Sequence, residues 1–190
     1  MSKILSAGEL SADSLIDLSH APRSGMRLGF MTAPRQLADV VDLNTANTNL
    51  QPNSTTQALV LALLRHWGHD TFLAHTRRVA AFYDSQRREL EAAAHKHLDG
   101  LATWVSPDCG MFLFIKLLLG SEDGATGDSY ELIRSKAVEK GFLALPGVAF
   151  MPSGSTSPYV RVSYSLSTAE QADEAFKRLR AVLLEARGGA

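Results

Sequence analysis

The chain has 190 residues, enough for one domain with attached elements, and 45% apolar with 21% charged residues is ordinary globular composition. The formal net charge is −1, with Lys and Arg spread along the chain, which excludes the basic stripe of a nucleic-acid or membrane-surface protein. Cys109 is the single cysteine, which excludes an internal disulfide and a Cys-based metal site, and no apolar run is long enough to span a membrane.

The first segment, 9–24, is rich in Ser, Asp and Ala, breaks at Pro22 and carries only a weak helical pattern. Residues 26–30 read as a short strand around Arg27 and Gly29, closed by Ala33-Pro34. Residues 35–48 read as a helix with Leu37, Val40 and Val41 on one face. Asn53-Ser54-Thr55 is a helix-start cluster, and Gln57 follows Ser54 at capping-box spacing. Leu59, Leu63, Leu64 and Trp67 then recur at helical period, with Gly68 as a C-cap. A long amphipathic helix follows over 70–98, with Phe72, Leu73, Val79, Phe82, Tyr83 and Leu90 on its apolar face.

The pattern changes after Gly100. Strands are predicted over 102–105, 111–117, 142–145 and 159–164. Helices are predicted over 130–140, stopped by Gly141, and from a Thr168 cap to about Leu184. Residues 101–190 therefore form one α+β unit.

The word Tyr159-Val160-Arg161-Val162-Ser163-Tyr164-Ser165 puts Arg161 inside an apolar strand. Alternation places Val160, Val162 and Tyr164 on one face and Arg161 with Ser163 on the other. A guanidinium is always charged, and its planar fork matches a carboxylate with two parallel hydrogen bonds. From pattern alone an internal Asp or Glu partner is the commoner outcome. The word Gly25-Met26-Arg27-Leu28-Gly29-Phe30 offers a second such fork, with a structural ion pair as the commoner outcome there too. Lys3 by itself is an ordinary solvated charge. The histidines form no metal-site pattern, so no metal is expected.

Five words in order make a stronger signal than any one. Ser2-Lys3-Ile4-Leu5-Ser6-Ala7-Gly8, the Arg27 word, Gly110-Met111-Phe112-Leu113-Phe114, Leu145-Pro146-Gly147 and the Arg161 word together resemble the fold-type I aminotransferases, which depend on pyridoxal 5′-phosphate (PLP). The branch most resembled is that of the kynurenine/α-aminoadipate and aromatic amino acid aminotransferases. The resemblance implies an α+β fold: the family's C-terminal small domain over 101–190, bridging helices over 35–100, and a remnant of the large PLP-binding domain over 1–34.

It also implies roles. Lys3 matches the catalytic lysine that attaches to PLP and carries the proton, Ser2 and Arg27 match groups on the PLP phosphate, and Arg161 matches the clamp on the substrate α-carboxylate. Gly110 matches the turn bordering the substrate. The implied substrates are an aromatic amino acid, kynurenine or 2-aminoadipate with a 2-oxo acid such as 2-oxoglutarate, and the family is homodimeric. No nucleic-acid or membrane partner is expected, and the location expected is cytoplasmic, with a lost targeting signal left open. Two other readings stay open here: a PLP-sensing domain of a transcription regulator, and an inactive interaction fragment.

Two departures from the family pattern stand out. Lys3 and Arg27 lie much further apart than in the family, and removing 9–25 restores the family's spacing; this stretch is expected to be an insertion or an unspliced segment. The large-domain segment that precedes the lysine in the family is not among these 190 residues. The isolated polypeptide is therefore expected to be inactive.

Overall fold

The structure is a computed structural model that describes residues 14–17, 28–48, 50–119 and 127–188. The chain divides into two compact units, Met1–Val79 and Ala80–Ala190.

In the first unit, β1 (Ser14–Asp17) pairs antiparallel with β2 (Gly29–Thr32), Ser14 opposite Thr32 and Asp17 opposite Gly29. This corrects two expectations. The weak helical pattern of 9–24 yields a strand at 14–17, because four residues cannot repay helix nucleation and gain more from a ladder with β2. The strand expected over 26–30 starts instead at Gly29, and Met26 and Arg27 lie outside the described residues.

The helix α1 (Arg35–Thr48) follows Pro34, whose carbonyl accepts the amide of Ala38 at 3.0 Å. Its expected apolar face is not its buried one: Ala38 is buried, whereas Val40 is 64% exposed.

The helix α2 (Ser54–Leu98) is capped one residue earlier than the capping-box pattern suggests. The Thr56 amide donates to Oδ1 of Asn53 at 3.1 Å, and the Gln57 side chain donates to the Pro52 carbonyl at 2.9 Å. Asn53 wins because its short amide oxygen reaches the third amide of the new helix. At Gly68 (φ 69°, ψ 173°) the helix breaks and restarts, so the expected C-cap lies at a kink between two helical runs.

The second unit holds the C-terminal part of α2, from Ala80, and a four-stranded antiparallel sheet. The strands are β3 (Ala102–Trp104), β4 (Phe112–Leu117), β5 (Leu145–Pro146) and β6 (Tyr159–Ser163), in the order β3-β4-β6-β5. A π-helical stretch (Leu132–Ala137) precedes β5, a 3₁₀ turn (Gly147–Phe150) follows it, and α3 (Ala169–Gly188) closes the unit. The strand expected over 142–145 shrinks to Leu145–Pro146, because Phe142 leaves the sheet to fill the core, 2% exposed.

One sheet face carries the core. Leu113, Ile115 and Leu117 of β4 and Val160 and Val162 of β6 pack with Leu90, Ala94 and Leu98 of α2, Ile133 and Ala137 of the π-helical stretch, and Phe176, Leu179, Val182 and Leu183 of α3. Full burial of each large side chain is worth roughly 1.5–3 kcal/mol. The helix α3 starts with a reciprocal capping box. The Gln171 amide donates to Thr168 Oγ1 at 3.3 Å, and the Thr168 amide donates to Gln171 Oε1 at 3.0 Å. Lys96 and His97 of α2 both reach Oδ1 of Asp173 on α3 at 2.8 Å, clasping the two helices.

Gly147 is a close-approach glycine. A Cβ there would lie 2.8 Å from the Tyr159 carbonyl oxygen and against the Ser157 side chain, and the neighbouring backbone cannot yield.

Gly147→Ala is therefore expected to destabilise the chain by roughly 1–3 kcal/mol through overpacking, and Phe176→Ala by roughly 3–5 kcal/mol through a cavity, both read by urea melts. The bonds from Lys96 and then His97 lower the Asp173 pKa below its ordinary value. A lowered folded pKa stabilises above the unfolded value, about 3.9, and the effect fades as pH falls through the folded pKa. Melts of Asp173→Asn should thus show a deficit at pH 6 that closes in acid below pH ~4; a deficit constant across that range would contradict the clasp.

Candidate functional site

The sheet face opposite the core holds the candidate site. Val160, Val162 and Tyr164 are 0%, 9% and 1% exposed, so alternation along β6 turns Arg161 and Ser163 to the other side. This is the orientation expected from the pattern. In register, Arg161 lies opposite Phe114 of β4 on one flank and Leu145 of β5 on the other. Arg161 is therefore on an interior strand, half-buried. Among the described residues no carboxylate pairs with it; its interactions are with aromatic rings. Its guanidinium carbon lies 4.1 Å from the centroid of Phe112 and 4.8 Å from that of Phe150. Phe114 meets Phe150 edge-on at 5.2 Å. The internal ion pair that pattern alone favoured is thus not found among these residues.

Gly110 (φ 91°) makes the turn into β4, a conformation open to glycine and strained for other residues. The next residue, Met111, is tied to the end of β6: its carbonyl accepts the Tyr164 amide at 3.0 Å and the Ser163 hydroxyl at 3.4 Å. Gly110 therefore lies beside the end of β6, the strand that carries Arg161.

The loop before Gly110 is anchored to α2 by a charged knot. Arg87 donates to Glu91 at 2.5 Å, to Asp84 at 2.7 Å and to the Ser106 hydroxyl at 2.5 Å, and Ser106 donates on to Glu91 at 3.1 Å. The bond from Arg87 holds the Asp84 carboxyl below its ordinary pKa, with Arg88 adding to the effect. Burial raises the pKa of the Tyr164 hydroxyl, and nearby Arg87 opposes that.

Of the other expected site residues, Ser2, Lys3 and Arg27 lie outside the described residues. Sequence reading did not single out Phe112 and Phe150. Phe112 was detectable, since period-2 alternation puts it opposite Leu113 on the nominally polar face. Phe150 sits on the turn after β5, where no periodicity marks it. Among the described residues no group of three His, Cys, Asp or Glu could hold a metal ion, and no helix is long and apolar enough to cross a membrane.

No family model matches the chain. Individual proteins do. Aminotransferase tdiD of Emericella nidulans is 47% identical over 162 residues, covering 85% of this chain and 36% of its own length. This chain is a partial homologue of the aminotransferases. The mitochondrial kynurenine/α-aminoadipate aminotransferase of Mus musculus is 40% identical over 163 residues, covering 85% of this chain and 37% of its own length. In fold, the chain matches LysN, the α-aminoadipate aminotransferase of Thermus thermophilus complexed with N-(5′-phosphopyridoxyl)-L-leucine. The TM-score is 0.73 at 22% identity, over 93% of this chain and 42% of that one. The aminotransferase homologue thus spans little more than a third of the curated relatives, and its fold is that of a fold-type I aminotransferase fragment. The relatives are named as enzymes, which leaves the regulator reading without support.

Arg87→Met should speed amide hydrogen exchange at 106–111 and lower the melting temperature. Asp84 has a lowered pKa, so its contribution is present at neutral pH and lost in acid, and the gap between wild type and variant should narrow as pH falls through the carboxylate range. Unchanged exchange at 106–111 would show that Arg87 does not anchor the loop.

Proposed function

We propose that this chain is the C-terminal part of an aminotransferase that uses PLP, moving an amino group between an aromatic amino acid, kynurenine or 2-aminoadipate and a 2-oxo acid such as 2-oxoglutarate. The observation that carries this reading is Arg161, a permanent charge on an interior strand, without a carboxylate partner among the described residues, in a homologue of aminotransferases.

The geometry supports a division of labour among the chain's own residues. Arg161 grips the substrate α-carboxylate edge-on with two N–H donors, which fixes the orientation of the Cα–H bond. The open face around it is aromatic and apolar, which weakens competition from water for the same carboxylate. The Gly110 turn borders the space beyond the guanidinium. The family match assigns Arg161 to the substrate carboxylate. The phosphate falls in this reading to Ser2 and Arg27. The catalytic residue Lys3 holds the cofactor and moves the proton at Cα. PLP, when bound, supplies the electron sink that stabilises the charge left at Cα.

The remaining assignments complete the proposal. Residues 1–34 belong to the large PLP-binding domain, with 9–25 inserted; 35–100 are bridging helices, and 101–190 the small domain. The protein works as a homodimer, as the family resemblance implies, and its location in this reading is cytoplasmic unless a targeting signal precedes these residues.

Expressed from its complete reading frame, the protein should convert at least one of these donors with 2-oxoglutarate, followed by product chromatography. Arg161→Met should lower kcat/KM by roughly 100-fold or more, the scale of losing a two-point charged hydrogen bond. A polypeptide of these 190 residues alone should show no turnover and no pyridoxyl adduct on Lys3 after borohydride reduction. Full activity of Arg161→Met would refute the carboxylate assignment. Abundant transcripts retaining the codons of 9–25 would count against the insertion.

A further inference from the structure

We infer that Phe112 and Phe150 are positioning residues for the Arg161 guanidinium, an inference that rests on the carboxylate-grip reading above. Their rings lie 4.1 Å and 4.8 Å from its central carbon. Phe112 reaches it from two positions along β4, diagonal to Arg161 in the register, and Phe150 from the turn after β5. Phe114, directly opposite Arg161, backs Phe150 at 5.2 Å.

These rings do little for the core. Phe150 and Phe114 are 40% and 43% exposed, and none of the three belongs to the buried cluster, so hydrophobic burial does not explain them. What Phe112 and Phe150 share is the guanidinium. A long arginine side chain on an open sheet face samples many rotamers, and binding a carboxylate would cost the entropy of choosing one. Rings in contact with the cation remove most of that choice beforehand. They attract the charge through their π faces, and they take the place of water over the guanidinium plane while leaving its N–H edges for a carboxylate. Arg161 then presents its fork ready-made, and the substrate's α-carboxylate meets a rigid donor pair.

The test uses the full 190-residue chain and propionate as the probe, a bare carboxylate that needs no cofactor. The Arg161 Nε–H resonance is followed by ¹H–¹⁵N NMR, and propionate is titrated against it. In the unsubstituted chain this resonance should be ring-current shifted and should respond saturably to propionate. Phe112→Leu and Phe150→Leu keep apolar bulk but lose the π face. Each should move the resonance towards that of a free arginine and weaken propionate by about fivefold. Phe112→Tyr and Phe150→Tyr should restore both, which a purely structural role would not require. Backbone amides of β4 and β6 report whether each variant stays folded; if Phe112→Leu unfolds, the more exposed Phe150→Leu carries the test.

Leucine variants with unchanged shift and unchanged affinity overturn the positioning role while leaving the grip intact. Binding that survives Arg161→Met overturns the grip itself. If propionate binds nowhere, the grip fails, and the resonance alone decides the positioning role: a shift that persists in both leucine variants overturns it.

Discussion

Three buried side chains at alternate positions, two on β6 and one just past its end, hold the candidate site in place. Val160, Val162 and Tyr164 are sealed into the core, and a strand cannot bury those three without turning Arg161 outwards. A slip of one residue in β6 would drive a guanidinium into an apolar core, at a cost of several kcal/mol, and expose three large apolar groups. The core packing that stabilises the unit is therefore the same constraint that aims the charge. The open face follows from it, and so does every assignment made for that face.

The rest of the second unit maintains this arrangement. The core formed with α2, the π-helical stretch and α3 lies on one side of the sheet, and Arg161 stands on the other. The loop ahead of β4 is bolted to α2 through Arg87, and Met111 is bolted to the end of β6, so the Gly110 turn has little freedom relative to the arginine. Gly147 allows the segment at Ser157 and Tyr159 to press against the start of the 3₁₀ turn that carries Phe150. Backbone packing thus delivers the aromatic ring, and the ring meets the cation.

The homology gives this geometry a chemical meaning. Relatives 40–47% identical are aminotransferases, and the chain spans 36–37% of their length. The donors that the second of these relatives is named for, kynurenine and α-aminoadipate, both carry an α-carboxylate. Among the described residues Arg161 meets rings and no carboxylate, and it is this that the proposed role builds on.

Much of this was legible in the amino-acid order. The final helix and its Thr168 cap, the β6 alternation and the outward Arg161 all follow from local periodicity and capping chemistry, which act over a few residues. The family resemblance was legible too, because it rests on words of side chains rather than on contacts. Other features were decided only in three dimensions. A four-residue strand at 14–17 exists because β2 lies beside it; Phe142 leaves its expected strand because the core has a hole for it; and α1 buries Ala38 rather than its larger apolar residues. Above all, whether Arg161 would meet an internal carboxylate or aromatic rings depended on which side chains the turn after β5 and the neighbouring strand brought within reach. Such partners are distant in sequence, and no local pattern encodes a distance across a sheet.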